Sequence, residues 1–587
     1  MSRSAAEKRA FKAQVRAEEE VRIQKEIHDE KVKIDNNTTI RIIAFCFLIM
    51  IVGFAAYFAS YSFNPDTDSF WLIETGRWIV ENKQVPKTNP WTYTEGLSII
   101  VQQPLCAVLN YVWYAHTSGL SDMWKLAMIE NVVLVIATLY LSSSFSTRNR
   151  RTVSFLSAIM VEVFFISCGL ITTRPYQLTT AAMMFLVANL ERAKKKDKMP
   201  LVFVSIALVT LFQANYQMAS LMMILCFLLC YMVGGAVDRL RGKNRLRNER
   251  IVAWVLVYVE WLLVRLINPY GLDGASYLNK STEAMRIVSG RILEMSAPSV
   301  ISFPFIIITI TLFMFFYMAI KRKNWNMTGT LLVFGSSFAT CLAVRNFWMV
   351  IIAFVAMYTK MISDKKEETK NESVFRIKME KLRLRIAEEL PQSMFKIKEL
   401  LLAPPKIKKE VPYFIHKVIR YAFLGGTLVF SFLILKVSSY ISANTVKDID
   451  SILSFIREEV PADSKVYTAF NTGGIMELAG RKVYIDARPE LYSKEITRTE
   501  NDLLKEWMDL EWNDSLSIPE YVSAHDWDYY FVAKDSVLYY YFEFSDVADC
   551  VFDNKYGTFF KIKEENKNIK HIEQIITNND VVNGNKE

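Results

Sequence analysis

The sequence predicts a mainly α-helical, polytopic membrane protein of about 11 spans with a small α/β domain at its C-terminal end, on the extracytoplasmic side. Three observations predict it. Apolar runs of about 17–25 residues recur along the chain, the length that crosses a ~30 Å hydrocarbon core at 1.5 Å per residue. Clusters of Lys and Arg fall between these runs, as in loops held on the cytoplasmic side. After Asn444 the long runs stop, and short β-rich runs alternate with helical patterns.

Residues 1–39 are charged and of mixed sign. Ile23, Ile27 and Ile34 recur at helical spacing and predict a short amphipathic cytoplasmic helix. The first span runs from Ile40 to about Ser62, and no small-residue cleavage site follows it, so no cleavable signal peptide is expected. An aromatic outer loop, 64–103, follows. Within and after it, Ser69–Asn82 and Ile99–Tyr114 are the right length for surface helices, with Trp71, Trp78, Trp91 and Trp113 suited to the headgroup region. Further spans are expected at 123–145, 152–172, 176–192, 199–215, 217–237, 251–268, 302–320, 326–345 and 346–362, completing a transmembrane domain over 40–362. A basic cytoplasmic insert occupies 363–420, and the last span is 421–440.

The basic clusters Arg148/Arg150/Arg151, Arg192 with Lys194–Lys196, Arg239–Arg250, Lys321–Lys323 and Lys365–Lys417 place the N-terminus inside and the domain at 441–587 outside. A full crossing by 101–119 would put Arg148–Arg151 outside, so that segment is expected to be re-entrant or interfacial. In the domain, strands are expected at Lys465–Ala469, Lys482–Ile485, Tyr529–Ala533, Asp549–Phe552 and Thr558–Lys563, and helices at Val446–Glu458 and Ser493–Asp509.

The composition excludes some classes. A net charge of +9 sits largely in short loops beside apolar runs, where it reads as orientation and not as a nucleic-acid surface. Most of the seven cysteines lie in or beside apolar runs, which implies no disulfide framework. The five histidines are too scattered for a zinc motif.

The expected topology gathers polar residues at one face. Arg174, Asn215, Asn268 and Arg345 fall at outer span ends, Asp66 and Asp68 follow the first span, and Glu294 lies in an outer loop. An Arg at mid-bilayer costs roughly 2.5–3.5 kcal/mol, less near the interface, and persists where it is paired or binds an anion. Arginines can grip a phosphate in bidentate fashion, while carboxylates act as base or metal ligand. Interfacial anchoring and an internal Arg–Asp pair explain the same residues. Asn268-Pro269-Tyr270-Gly271 reads equally as a helix stop. In the domain, Gly473-Gly474 after a strand reads as a tight turn before an anion nest, since the further glycine and lysine of a phosphate loop are missing. Asp486 and Arg488 read as a structural ion pair before a ligand clamp.

Asp66-Thr67-Asp68-Ser69-Phe70-Trp71, then Thr75-Gly76-Arg77, Val85-Pro86 and Asn89-Pro90-Trp91-Thr92-Tyr93-Thr94 stand in an order that resembles bacterial membrane proteins related to the C-type (GT-C fold) glycosyltransferases. That class includes protein O-mannosyltransferases and the aminoarabinose transferase of lipid A. Arg174-Pro175, Asn215, Asn268-Pro269, Glu294, Arg345, Gly473-Gly474 and Asp486-x-Arg488 with Tyr492 match later markers, so the resemblance spans nearly the whole chain. It implies a GT-C-like fold, a polyprenyl-phosphate sugar donor and a glycan, lipid or protein acceptor. It also implies catalytic roles for Asp66, Asp68 and Glu294, with Asp66 and Asp68 as base or as ligands of a divalent metal. Arg174 and Arg345 would hold the lipid phosphate, with Asn215 and Asn268 in the substrate site. Leu72, Gln102 and Gln217 stand where relatives carry histidine. That departure keeps a non-catalytic scaffold or polysaccharide-export partner on the same fold as the alternative. A transporter ranks last, because no internal repeat is visible.

Overall fold

The computed structural model describes residues 38–61, 67–146, 150–196, 198–240, 249–277, 296–321, 326–363, 413–494, 502–512 and 516–566. The expected N-terminal helix, most of the 363–420 insert, and the candidates Asp66 and Glu294 lie outside the described residues.

The membrane part consists of α1 (Thr38–Tyr61), α2 (Thr67–Asn82), α3 (Pro104–His116), α4 (Met123–Phe145), α5 (Arg150–Ser167), α6 (Tyr176–Lys196), α7 (Met199–Tyr216), α8 (Leu221–Leu240), α9 (Glu249–Val264), α10 (Phe303–Lys321), α11 (Met327–Leu342), α12 (Phe347–Ser363) and α13 (Tyr413–Glu458). Among the described residues, seven helices are long and apolar enough to cross a membrane: α1, α4, α7, α8, α10, α12 and α13. The chain is a multi-pass membrane protein. The count is lower than the expected 11 for physical reasons. The apolar parts of α9 and α11 are short, α5 carries Arg150, Arg151 and Glu162, and α6 ends in Arg192 and Lys194–Lys196.

Helices α2 and α3 are about 24 and 20 Å long, short of the ~30 Å core. They lie against each other because Gly76 has no side chain. A Cβ there would sit 2.0 Å from the Ala107 carbonyl oxygen. Pro104 opens α3, where its missing N–H costs no helical hydrogen bond.

The last span is longer than the 421–440 read from hydropathy. Residues Ile441–Lys447 hold no Pro or Gly, so the helix continues unbroken for 46 residues, about 70 Å, into the domain. The separate helix expected at Val446–Glu458 is its final section, where Val446, Ile449, Leu453 and Ile456 repeat at helical spacing and are buried.

The C-terminal α/β region holds a four-stranded sheet in the order β1 (Val466–Thr468), β2 (Tyr529–Val532), β4 (Gly557–Ile562), β3 (Ala548–Asn554). β1 and β2 are parallel, and the other pairs are antiparallel. Around it lie α14 (Gly473–Leu478), α15 (Leu503–Glu511), α16 (Ile518–Ala524) and α17 (Val537–Phe544). Helix α15 covers the C-terminal part of the helix expected at Ser493–Asp509, whose residues 495–501 lie outside the described residues; its Asp502 cap accepts from the Lys505 N–H at 3.1 Å.

The strand expected at Lys482–Ile485 does not form. The hydroxyl of Thr468 accepts from the N–H groups of Tyr484 and Ile485 and donates to the Ile485 carbonyl, taking the place of a strand neighbour. Val483 pairs instead with the loop after α2. Its N–H donates to the Trp91 carbonyl at 2.7 Å, and the Tyr93 N–H donates to the Val483 carbonyl at 3.3 Å. Loop and domain therefore share a core: Trp91, Leu97, Ile99 and Val101 are buried with Tyr484, Leu504, Trp507 and Tyr530. Phe70 and Ile73 of α2 are buried with Ile449, Ile475 and Phe531.

Candidate functional site

The helices alternate in direction, so one end of the bundle collects the start of α2, the turn between α5 and α6, the ends of α7 and α9, and the turn between α11 and α12. Phe164, Phe303 and Phe347 pack at this end, with ring centroids 5.2 and 4.8 Å apart. The α/β region sits on the same end through α2 and its loop.

Asp68 lies in the first turn of α2, where unsatisfied backbone N–H groups favour a negative charge. One carboxylate oxygen accepts from the Trp71 indole N–H at 3.0 Å, and the other pairs with an Arg174 guanidinium nitrogen at 3.2 Å. The Ser69 and Thr173 hydroxyls, 2.9 Å apart, tie the same two segments together. Asp68 and Arg174 keep 25% and 23% of their side-chain surface exposed, so the pair can be reached.

A second ionic group lies behind it and is sealed. The Arg488 Nε and one terminal nitrogen bind the two oxygens of Asp486 at 2.9 and 2.5 Å, and that terminal nitrogen also reaches Glu477 at 2.6 Å. The Tyr492 hydroxyl donates to Asp486 as well. The guanidinium carbon stands 4.8 Å from the Trp71 ring centre and 5.2 Å from that of Trp91. Burial opposes an ionised Asp486, but the guanidinium and the hydrogen bonds outweigh it and hold its carboxyl below the usual range. Burial pushes Glu477 well up, and its proton then faces Asp486. Sequence patterning did not single out Glu477. Its only signal was a Glu close behind the glycine pair.

Gly473 and Gly474 open α14 and do not form the free turn expected of them. Both are buried. A Cβ on Gly473 would lie 2.2 Å from the Ile485 carbonyl oxygen and 2.8 Å from the Asp486 Cα. The missing side chain is what lets α14 bring Glu477 against Asp486 and Arg488.

The other candidates separate by what their polar atoms already do. The Asn268 amide nitrogen donates to the carbonyls of Arg265 and Gly271, and its oxygen accepts from the Tyr270 N–H, all within one turn closed by Gly271 at φ +56°. The Asn215 amide donates to Leu211 and Ile267 carbonyls, joining the ends of α7 and α9. Arg345 sits on a short turn at Val344–Asn346, half-buried, and its guanidinium makes no hydrogen bond or ion pair among the described residues. No described contact joins it to Asp68 or Arg174. Of the positions that depart to Leu and Gln, Leu72 is buried beside Cys106, Ala107 and Tyr216, and Gln217 accepts from the Thr179 hydroxyl at 2.6 Å. The Gln102 carbonyl accepts from the Met218 N–H.

An apolar groove of about 550 Å³ opens between α2, α3 and α7, lined by residues including Ile79, Leu105, Val108, Leu208 and Phe212, with Asn215 and Pro269 at its rim. Leu105 and Phe212 pack in the same cluster as Trp71, one layer from Asp68. Asp66, which the sequence pairs with Asp68 as a possible metal ligand, lies outside the described residues. Among the described residues no three His, Cys, Asp or Glu side chains converge, and both Asp68 oxygens already face donors.

No family model and no curated protein matches the chain. Among solved structures it is similar to the apo oligosaccharyltransferase of Archaeoglobus fulgidus, at 11% identity over 83% of this chain and 69% of that one, with a TM-score of 0.44. It is also similar to ArnT from Cupriavidus metallidurans, over 87% of this chain and 97% of that one. The apo form gives 12% identity and a TM-score of 0.47, and the form bound to undecaprenyl phosphate gives 11% and 0.44.

Proposed function

We propose that the chain is a membrane glycosyltransferase that moves a sugar from a polyprenyl-phosphate donor to a cell-envelope acceptor at the extracytoplasmic face. The observation that carries the reading is the Asp68–Arg174 pair, which joins positions over a hundred residues apart into one reachable acid–guanidinium site. The order of motifs from Asp66 to Tyr492 supports it.

In this reading an acceptor hydroxyl attacks the anomeric carbon. Asp68 takes the hydroxyl proton, and the sugar–phosphate C–O bond breaks with its electron pair leaving on the phosphate. Arg174, with Arg345, offers positive charge where the phosphate charge grows. The apolar groove suits an isoprenoid chain, since its wall is made of Leu, Ile and Phe side chains. Asp66 and Glu294 remain candidates for base or acceptor contacts. The buried Asp486–Arg488–Glu477–Tyr492 group has no open side and is assigned to holding the domain on the loop, as is Gly473. Asn268 is assigned to its turn.

The second reading, a non-catalytic protein on the same architecture, is favoured by Leu72 and Gln217, which fill structural positions where a transferase would use histidine. Mass spectrometry of lipid co-purified with the full chain separates the two. A polyprenyl phosphate recovered from wild type and reduced in Arg174→Gln supports the transferase. Its absence from wild type favours the scaffold.

A further inference from the structure

Two hydrogen-bond donors near the end of α9 have no acceptor. Trp261 is 2% exposed, and its indole N–H is sealed and unpartnered; so is the Nε of the half-buried Arg265. Arg265 makes no ion pair among the described residues, and no described contact joins it to Asp68 or Arg174. Buried donors are paired in the great majority of cases, and an unmatched charge at membrane depth is costlier still. The Arg265 backbone N–H donates to the Trp261 carbonyl at 3.2 Å, so Arg265 continues the helix. The two residues stand four apart, about 40° around the axis, and share one flank. Glu260, the nearest acid on α9, lies about 140° around the helix from Arg265 and does not face it.

Arginines at span ends ordinarily extend outward to the interface. Arg265 turns back. Its guanidinium carbon stands 4.8 Å from the centre of the Trp261 ring, one turn earlier in the helix. The cation–π contact fixes that stacking but supplies neither an acceptor for the two N–H groups nor a counter-ion. The apolar section Val252–Val264 is about 20 Å long, roughly 10 Å short of the hydrocarbon core. A stretch that short draws lipid headgroups inward by thinning the bilayer around it. The same flank carries Tyr258, stacked on Trp261 at 5.8 Å, and Leu262, both partly buried at the edge of the bundle core. Leu263, on the adjoining face, is 61% exposed. These side chains offer an apolar track for a chain whose headgroup sits at Arg265.

We propose that Arg265 and the Trp261 N–H form a binding site for the phosphodiester of a bilayer phospholipid. The guanidinium and the indole N–H donate to phosphate oxygens, and the single positive charge of Arg265 matches the single negative charge of a diester. A phosphate monoester, close to doubly charged at neutral pH, would bring a second charge with no counter-ion. The site is independent of the transferase reading, in which neither residue takes part.

The test is native mass spectrometry of the full chain in detergent micelles with added phosphatidylglycerol, diacylglycerol or dodecyl phosphate, for wild type, Arg265→Gln and Trp261→Phe. The expected result is one tightly held phosphatidylglycerol per wild-type chain under activation that strips diacylglycerol, with dodecyl phosphate held less well. Arg265→Gln should weaken retention about tenfold or more, and Trp261→Phe, which keeps the ring and deletes the N–H, about threefold. A wild type that retains no phosphatidylglycerol, retention unchanged in Arg265→Gln, or a preference for dodecyl phosphate would overturn the proposal. So would a co-purified glycosyl polyprenyl diester that is lost in Arg265→Gln in place of phospholipid. The wild-type readings need no variant, so they stand even where a substitution prevents folding.

Discussion

Two acid–arginine groups stand within one residue of each other, on either side of Trp71, and they differ in what their surroundings let them do. Asp486, Arg488, Glu477 and Tyr492 are closed in by the domain and by two tryptophan rings, and nearly every polar atom has a partner. Asp68 and Arg174 pair with about a quarter of each side chain open. A sealed and saturated group holds structure together. An open pair contributes little to stability and keeps its charge available for a ligand.

The largest expected effect tests the sealed side. Arg488→Ala leaves Asp486 buried without its counter-ion and should cost about 3–5 kcal/mol. Thermal unfolding followed by tryptophan fluorescence should show the domain lost or strongly destabilised. A variant as stable as wild type would mean the group is not the clamp between loop and domain.

Next comes pH. Glu511 accepts from the Tyr467 hydroxyl at 3.1 Å, and burial pushes its carboxyl from 4.5 up to about 7. Its folded value is raised, so the stability it contributes is full below about 4.5 and falls away as pH rises through about 7, by at most ~3 kcal/mol. Melting curves of wild type should decline across that window, and Glu511→Gln should flatten the decline.

A smaller loss is expected from Gly473→Ala, roughly 1–3 kcal/mol, because the new methyl meets backbone at Ile485 and Asp486. The midpoint should fall while insertion into the membrane is unchanged. The smallest stability effect is on the open side, where Arg174→Gln should cost less than ~1 kcal/mol.

The sequence carried the long apolar helices, four of the strands, and the pairing of an Asp with an Arg, seen as Asp68 with Arg174 at one end of the bundle. It did not carry the contacts made by packing. Val483 has the composition of a strand residue, yet its partner is a loop nearly four hundred positions away, and no local pattern encodes that choice. The long α13 was legible in principle, since nothing between Ile441 and Lys447 breaks a helix, but the hydropathy edge drew attention to the membrane boundary instead. Gly473 looked like a turn because glycine pairs usually are; the close approach of Asp486 that demands it appears only in three dimensions.

The measurement that bears most directly on the account is sugar transfer from a labelled polyprenyl-phosphate donor by the purified full chain, compared with Asp68→Asn. The account predicts transfer by wild type and a loss of about 10²–10⁴-fold in the variant, with folding intact. Equal transfer by both proteins would contradict it.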